Sequence, residues 1–288
     1  MMTVVINPVA GTGLAREIGL KVELALDKLG IKHETFYTEH AGHATELARR
    51  AAQAGADTVL SVGGDGTLSE TAAGLAGTRT ALGIVPAGTG NDFIKALGTP
   101  RKWDAALDFV LRHPARPLDT GVINDSFFIN VCGAGFDVMV LDFAEKAKAK
   151  VRGIWPYLYG VVRAIRSFQP FEMHIEVGDD RRFDGKYMLC TIANGQVIGG
   201  GIPILPAAKV DDGLLDVMVV DAVPAWKIPF YLPALMRGRL MNKRIAHHYR
   251  TDHCLLSSPG MRLNLDGEVL PMESARFVCK PQSLLVHW

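Results

Sequence analysis

The first 115 residues alternate short apolar runs with longer stretches of helical period. Thr3–Asn7, Lys32–Thr38, Asp57–Val62 and Ala81–Val85 read as strands. Leu14–Leu29, Ala44–Ala54, Leu68–Ala76 and Trp103–Arg112 read as helices, with a further helix expected from Asn91. Strands alternating with helices of this length predict βαβ units and a doubly wound, mostly parallel sheet.

After Pro114 the pattern changes. Leu118–Ile123 and Phe127–Val131 read as adjacent strands joined by an Asn124-Asp125 turn, and Asp137–Val151 as a helix. Strand patterns then follow at Phe171–Val177, Phe183–Ala193, Leu214–Val220, His253–Leu256, Arg262–Leu265 and Arg276–Cys279, interrupted by a helix over Pro224–Arg239. The expected fold is an α/β N-terminal domain, residues 1–120, followed by a β-rich C-terminal domain of mostly antiparallel strands, residues 121–288. The last strand is free to return to the first domain.

Two glycine-rich turns stand out, Ser61–Glu70 (SVGGDGTLSE) and Ile84–Phe93 (IVPAGTGNDF). Each follows a predicted strand and leads into a helical stretch. At the carboxyl end of a strand, exposed N–H groups and absent Cβ atoms let a phosphate approach the backbone. Neither of the two commonest phosphate fingerprints is present: there is no G-x-x-x-x-G-K-[ST], and Gly64-Asp65-Gly66 meets Ser69 where G-x-G-x-x-G needs glycine. An acid sits in the middle of the first turn instead.

Composition narrows the function classes. With 48% hydrophobic and 21% charged residues the chain is ordinary globular material, which argues against disorder. A formal charge of +1 removes a whole-molecule electrostatic case for nucleic acid. Cys132, Cys190, Cys254 and Cys279 show no metal spacing and read as reduced core residues of a cytoplasmic protein. Met1-Met2-Thr3 before Val4-Val5-Ile6 is too short for a signal peptide. The longest apolar candidate, Trp226–Met241, is broken by Pro229, Pro233, Arg237 and Arg239, so contact with a membrane is expected to be peripheral.

Asn7-Pro8 with Gly11, Gly63-Gly64-Asp65-Gly66-Thr67 and Pro86-Ala87-Gly88-Thr89-Gly90-Asn91-Asp92-Phe93 together resemble the diacylglycerol kinase catalytic family, which includes soluble bacterial lipid kinases and sphingosine kinases. The resemblance continues through Asn194-Gly195, Gly199-Gly200-Gly201, Pro206-Ala207, Asp211–Asp216 and Asp266-Gly267-Glu268. GGDGT alone is shared with NAD kinases; followed by PAGTGNDF it resembles the lipid kinases.

The resemblance implies an ATP site lined by Asn7, Pro8, Val9, Ala10, Gly11, Thr38, Gly63, Gly64, Asp65, Gly66, Thr67, Leu68, Ser69 and Thr89, with Asn91 and Asp92 also binding the nucleotide from the second loop, which helps frame the cleft. Ser69 stands where the family often has Asn. A hydroxyl keeps one hydrogen bond there but not the reach of an amide. An acid in a phosphate loop repels the ligand unless a cation lies between them, so Asp65 reads as an organiser of Mg²⁺ on ATP; without a ligand it reads as a helix N-cap.

Glu268 matches the family's proton acceptor, although Asp-Gly-Glu between two strands is by itself a hairpin turn, and Asp266 could support it. Lys209, Asp212 and Leu214 are similar to a segment where bacterial members hold a second, structural Mg²⁺, through the Asp212 carboxylate and main-chain oxygens. The other reading is a polar turn. Lys146–Arg166 mixes cations with Trp155, Tyr157 and Tyr159, which suits a lipid–water interface or a basic helix followed by a core segment.

The expected activity is Mg²⁺-dependent transfer of the γ-phosphate of ATP to a hydroxyl of a lipid such as diacylglycerol. The expected partners are that lipid and a membrane surface, with no nucleic acid and with a homodimer allowed. NAD kinase and a catalytically inactive nucleotide-binding regulator stay open as alternatives.

Overall fold

The computed structural model describes residues 1–148 and 155–288. Its N-terminal part runs β1 (Met2–Ile6), α1 (Leu14–Lys28), β2 (His33–Tyr37), α2 (His43–Gln53), β3 (Thr58–Gly63), α3 (Asp65–Leu75), β4 (Ala81–Pro86), α4 (Ile94–Leu97) and α5 (Trp103–Arg112). The strands pair in parallel in the order β2-β1-β3-β4. The apolar alternation of the strands divides between two helix layers. Val4, Ile6, Leu60 and Val62 pack on Ile18, Val22 and Leu26 of α1 and Leu107 and Val110 of α5. Val5, Val59 and Leu82 face Leu47 and Ala48 of α2 and Leu68, Ala72 and Leu75 of α3. Each such aliphatic side chain, fully buried, contributes about 1.5–3 kcal/mol. Because β1 is followed outward by β2 and inward by β3, the strand order reverses between β1 and β3, which is where an open α/β sheet forms its ligand crevice.

The C-terminal part contains β5 (Ala115–Ile123), β6 (Ser126–Phe128), β7 (Val131–Gly135), α6 (Phe136–Lys148), α7 (Trp155–Ser167), β8 (Phe171–Val177), β9 (Arg181–Ala193), β10 (Val197–Ile198), β11 (Ile202–Pro203), β12 (Leu215–Asp221), α8 (Ile228–Met236), β13 (Ala246–Thr251), β14 (His253–Ser257), β15 (Arg262–Leu265), β16 (Glu268–Pro271) and β17 (Ser274–His287). Pairing is antiparallel along β16-β15-β7-β9-β8-β14-β17, with β12 on the other side of β9. Val217 and Val219 point into the β-rich core with Ile175, Ile192, Leu256 and Phe277. Their neighbours Met218 and Val220 face Ala164 of α7 and Ile228 of α8, the period-two alternation expected of a strand buried on both sides. The last strand joins the two parts: β17 is antiparallel to β5 and lies parallel to β4 at Val286 and Leu82.

Four local expectations differ from what forms. The helix after the first glycine turn begins at Asp65, three residues earlier than the apolar pattern indicates, because Gly64 takes the N-cap place. The helix expected from Asn91 is a single turn, Ile94–Leu97. Asn91 itself has φ +48, and its side chain folds back on Gly88. The expected strand Phe127–Val131 is split at Ile129 and Asn130, whose N–H groups leave the ladder for a carboxylate. The strand expected at Arg276–Cys279 extends from Ser274 to His287, its polar face hiding the continuation. Of the Asp137–Val151 helix, residues 149–151 lie outside the described residues.

Candidate active site

Three loops meet at the carboxyl ends of β1, β3 and β4. The loop after β1 carries Asn7, Pro8, Val9, Ala10 and Gly11. Asn7 Nδ2 donates to Thr67 Oγ1 at 3.0 Å, and Asn7 Oδ1 accepts from the Val9 N–H at 3.2 Å. Gly11 has φ +59, and a Cβ there would lie 2.2 Å from the Ala87 carbonyl oxygen. A Cβ on Gly88 would lie 2.4 Å from Gly64 Cα. The glycines therefore set how closely the two glycine turns approach, which is a tertiary requirement more than a turn requirement. Thr38 closes the neighbouring strand by donating its N–H to the Ile6 carbonyl at 2.8 Å.

Helix α3 opens inside the first turn. Among the described residues no side chain caps it at Gly64, so the N–H groups of its first turn retain the partial positive charge that suits an anion. Gly66 is exposed, Thr67 is buried against Asn7, and Leu68 is a core residue at 3% exposure. Leu68 thus contributes packing, while its neighbours contribute polar groups.

Asp65 does not cap its own helix. Its Oδ1 accepts N–H bonds from Asp92 (2.7 Å) and Phe93 (3.3 Å), which binds the two glycine turns together. Burial pushes its carboxyl pKa up, and the nearby Asp92 adds to this, while the backbone N–H groups act the other way. A cation beside Asp65 would relieve both unfavourable contributions. Its Oδ2 borders Gly90, where a Cβ would lie 2.9 Å from Asp65 Oδ2 and 3.6 Å from Asp92 Oδ2. Among the described residues no group of three or more His, Cys, Asp or Glu is placed to hold a metal ion. A cation here would therefore depend on Asp65 and on the oxygens of a bound phosphate, which the donor set accommodates.

The second turn reaches across to the C-terminal part. Asp92 accepts from Lys95 Nζ at 2.6 Å through Oδ1 and from the Gly200 N–H at 2.7 Å through Oδ2. Gly199, Gly200 and Gly201 all have positive φ, from +61 to +142, which accounts for the glycine triplet. Thr89 lies exposed at the tip of this turn.

The Asp-Gly-Glu motif is docked on the first turn's helix. Asp266 Oδ2 accepts from Ser69 Oγ (2.9 Å) and the Ile129 N–H (3.0 Å), and Oδ1 from the N–H groups of Asn130 (3.0 Å) and Val131 (3.1 Å). Burial raises the Asp266 pKa, and these four hydrogen bonds act against the rise. Glu268 follows as the first residue of β16 and is exposed. Asn194, fully buried, holds the same segment from behind by donating to the Ile129 and Asp119 carbonyls at 2.9 Å.

Two polar residues near this turn stand outside the motifs that the sequence marks. Asn264 Oδ1 accepts the Gly267 N–H at 2.9 Å, and its Nδ2 reaches toward Asp137 Oδ2 at 3.5 Å. Asp137 lies in the first turn of α6, and burial raises its pKa to about 6. Its Oδ1 is fully enclosed and has no hydrogen-bond partner among the described residues. A Cβ on Gly133 would fall 2.2 Å from Asp137 Oδ2, so Gly133 is the residue that makes room for this acid. The Gly-Ala-Gly-Phe-Asp run of 133–137 was the one available clue.

The residues Lys209, Asp212 and Leu214 lie apart from this cluster. The Asp212 carboxylate is paired with the Arg250 guanidinium and accepts the Leu214 N–H at 3.2 Å. A cation there would have to displace the guanidinium, so the side chains as arranged do not fit a second Mg²⁺. Within Lys146–Arg166, residues 149–154 lie outside the described residues, which includes Lys150 and Arg152. From Trp155 the segment forms α7, with Leu158, Tyr159 and Val162 exposed.

The fold and the site define a two-part protein in which an α/β sheet presents two glycine turns and an uncapped helix N-terminus, and the acidic turn of a β-rich part is fastened to that helix. Residues 1–123 match the diacylglycerol kinase catalytic domain, and residues 130–288 match the YegS C-terminal NAD kinase beta sandwich-like domain. The chain is 32% identical over 280 residues to the diacylglycerol kinase of Bacillus subtilis (strain 168), covering 96% of this chain and 92% of that protein. It is 33% identical over 253 residues to a protein of Pseudomonas putida named "Probable lipid kinase YegS-like", covering 87% and 83%. A solved diacylglycerol kinase candidate from Bacillus anthracis str. Sterne superposes with a TM-score of 0.81 at 25% identity, covering 100% of this chain and 97% of that one. The chain belongs to the diacylglycerol kinase family of lipid kinases.

Proposed function

We propose that the protein transfers the γ-phosphate of Mg·ATP to a hydroxyl group of a lipid such as diacylglycerol. The observation that carries this reading is the docking of Asp266 on Ser69, which brings the Glu268 turn to the helix that opens in the first glycine turn. Glycine turns without an acidic turn would suit a binding protein. The two together suit a transfer reaction.

In this reading the N–H groups at the start of α3 and the turn 86–92 hold the phosphates, and Asn7 keeps Thr67 in place as a further donor. Mg²⁺ on the nucleotide supplies neutralisation of phosphate charge. Asp65 orients that charge from beneath, fixed by the N–H groups of Asp92 and Phe93. Glu268 is the group that accepts the proton of the lipid hydroxyl, and its exposure leaves it open to a substrate entering between the two parts. Asp266 and Asn264 position Glu268 by holding the turn before it.

The test is incubation of the protein with radiolabelled ATP, Mg²⁺ and a panel of lipids in detergent micelles, with products identified by mass. A labelled lipid supports the proposal. Formation of NADP from NAD and ATP with no labelled lipid would assign NAD kinase instead. Tight ATP binding with no transfer to any acceptor would assign a nucleotide-binding regulator.

A further inference from the structure

Helix α8 has nine residues, Ile228–Met236, none of them charged, yet only Ile228 is buried. Phe230 is 73% exposed and Met236 58%, and Trp226, just before the helix, is 67% exposed. Trp226, Phe230 and Pro233 follow one another at helical spacing along a single outward stripe. The Trp226 and Phe230 rings meet edge to face with centroids 6.5 Å apart. Leu158, Tyr159 and Val162 of α7 are also exposed, and α7 packs beside the 225–227 turn, which widens the apolar surface. An exposed apolar surface of this kind marks a contact with something else.

The charges around it have one sign. Between Asp221 and Asp252 the chain has no Asp or Glu, but it has Lys227, Arg237, Arg239, Lys243, Arg244 and Arg250. The first five are exposed and have no acidic partner among the described residues. Lys227 Nζ lies 5.2 Å from the centre of the Trp226 ring. Arg237, Arg239 and Lys243 line, with Phe230 and Pro233, an open hollow of about 340 Å³. Aromatic and aliphatic side chains on one stripe with cations at its edge match the layering of a bilayer, where hydrocarbon lies just beneath anionic phosphate. A second copy of the chain fits poorly, because a two-fold contact through this face would bring unpaired cations against one another. No helix among the described residues is long and apolar enough to cross a membrane, so α8 would lie along the interface.

We infer that Trp226 and the outer stripe of α8, with Lys227, Arg237, Arg239 and Lys243, form the surface by which this protein docks on an anionic phospholipid bilayer. The inference deepens the lipid-kinase reading and rests on it for the choice of partner. The docking surface centres on α8, and exposed residues of α7 extend it into the Lys146–Arg166 segment whose composition suggested an interface.

The full chain is sedimented with vesicles of phosphatidylglycerol and phosphatidylcholine, or of phosphatidylcholine alone, without ATP or acceptor lipid. The expected result is salt-sensitive binding to the anionic vesicles only. Arg237→Gln, Arg239→Gln and Lys243→Gln should each weaken it about fivefold, and the Trp226→Ser/Phe230→Ser pair should abolish it. Leu24→Ser, a change on the exposed face of α1, should leave it intact. Thermal melts establish that each variant is folded, and the three charge variants retain a reading if the aromatic pair fails to fold. The inference is overturned if the protein does not pellet with anionic vesicles or if the charge variants pellet like the parent. It is also overturned if the aromatic pair converts a dimer to a monomer in analytical ultracentrifugation with vesicle binding unchanged. Because no phosphoryl donor is present, a failed kinase assignment would leave the vesicle result standing.

Discussion

Ser69 Oγ lies 2.9 Å from Asp266 Oδ2 across 197 positions of sequence, and this bond fastens the acidic turn to the helix of the first glycine turn. The same carboxylate takes the N–H groups of Ile129, Asn130 and Val131. Ser69→Ala removes one of four hydrogen bonds and is expected to cost about 1 kcal/mol. Asp266→Ala leaves three buried N–H groups without an acceptor and should cost about 2–4 kcal/mol. Urea unfolding of both variants measures the difference, and equal losses would mean that Ser69 carries the contact.

Glu268→Gln keeps the shape of the side chain and removes its basicity. The proposed role predicts a fall in kcat of about 10²–10⁴-fold with unchanged thermal stability. Asp65→Ala should abolish turnover and also loosen the second glycine turn, since the Asp92 and Phe93 N–H groups lose their acceptor. Near-normal kcat in Glu268→Gln would require another proton acceptor.

Gly88→Ala places a Cβ 2.4 Å from Gly64 Cα. The two glycine turns must then separate, so the expected effect is a raised KM for ATP and a loss of about 1–3 kcal/mol in stability. Isothermal titration with a non-hydrolysable ATP analogue, beside a thermal melt, separates the two effects. Unchanged affinity would show that the approach of the turns does not shape the nucleotide site.

Asp137 makes stability depend on pH. Its pKa is raised from 3.8 to about 6 in the folded chain, chiefly by burial. The folded state therefore holds the proton more tightly than the unfolded state. The resulting stabilisation is complete below about pH 4, declines as pH rises toward 6, and is gone above it, a change of about 2–3 kcal/mol. Asp137→Asn should match the parent near pH 4 and exceed it by about that amount at pH 8. Parallel pH profiles of urea unfolding would show that Asp137 does not titrate in this way.

Arg250 already provides a positive charge to Asp212. A chelator is thus expected to leave the melting temperature of the parent unchanged. Arg250→Gln should lower it by about 1–3 °C, because the pair is partly exposed, and added Mg²⁺ should then restore part of the loss. A chelator-sensitive parent would place a metal ion at Asp212 in spite of the guanidinium.

The layout of the α/β sheet was legible in the sequence because apolar period and glycine position are local properties. Strand, turn and helix follow one another within about ten residues, and Trp103–Arg112 forms a helix with the bounds that its pattern indicates. The family was legible for a related reason: GGDGT and PAGTGNDF satisfy close backbone approaches, and only certain residues can do so. The extent of α4, the break before β7 and the length of β17 were not legible. They depend on the Asn91 side chain folding back, on Asp266 taking N–H groups from a strand, and on a polar strand finding partners in both parts of one continuous sheet.

The candidate site divides along the same line. Residue types and order along the chain determined which loops could hold a phosphate and which acids could serve chemistry. Only the tertiary structure decided that Asp65 bridges the two glycine turns, that Asp266 anchors to Ser69, that Asp137 is enclosed over Gly133, and that Asp212 belongs to Arg250. The reason is physical. A carboxylate's role is set by the donors and charges that reach its oxygens. For Asp65, Asp212 and Asp266 the deciding groups come from Asp92, Arg250 and Ser69, 27 to 197 residues away, a distance over which local pattern carries no information.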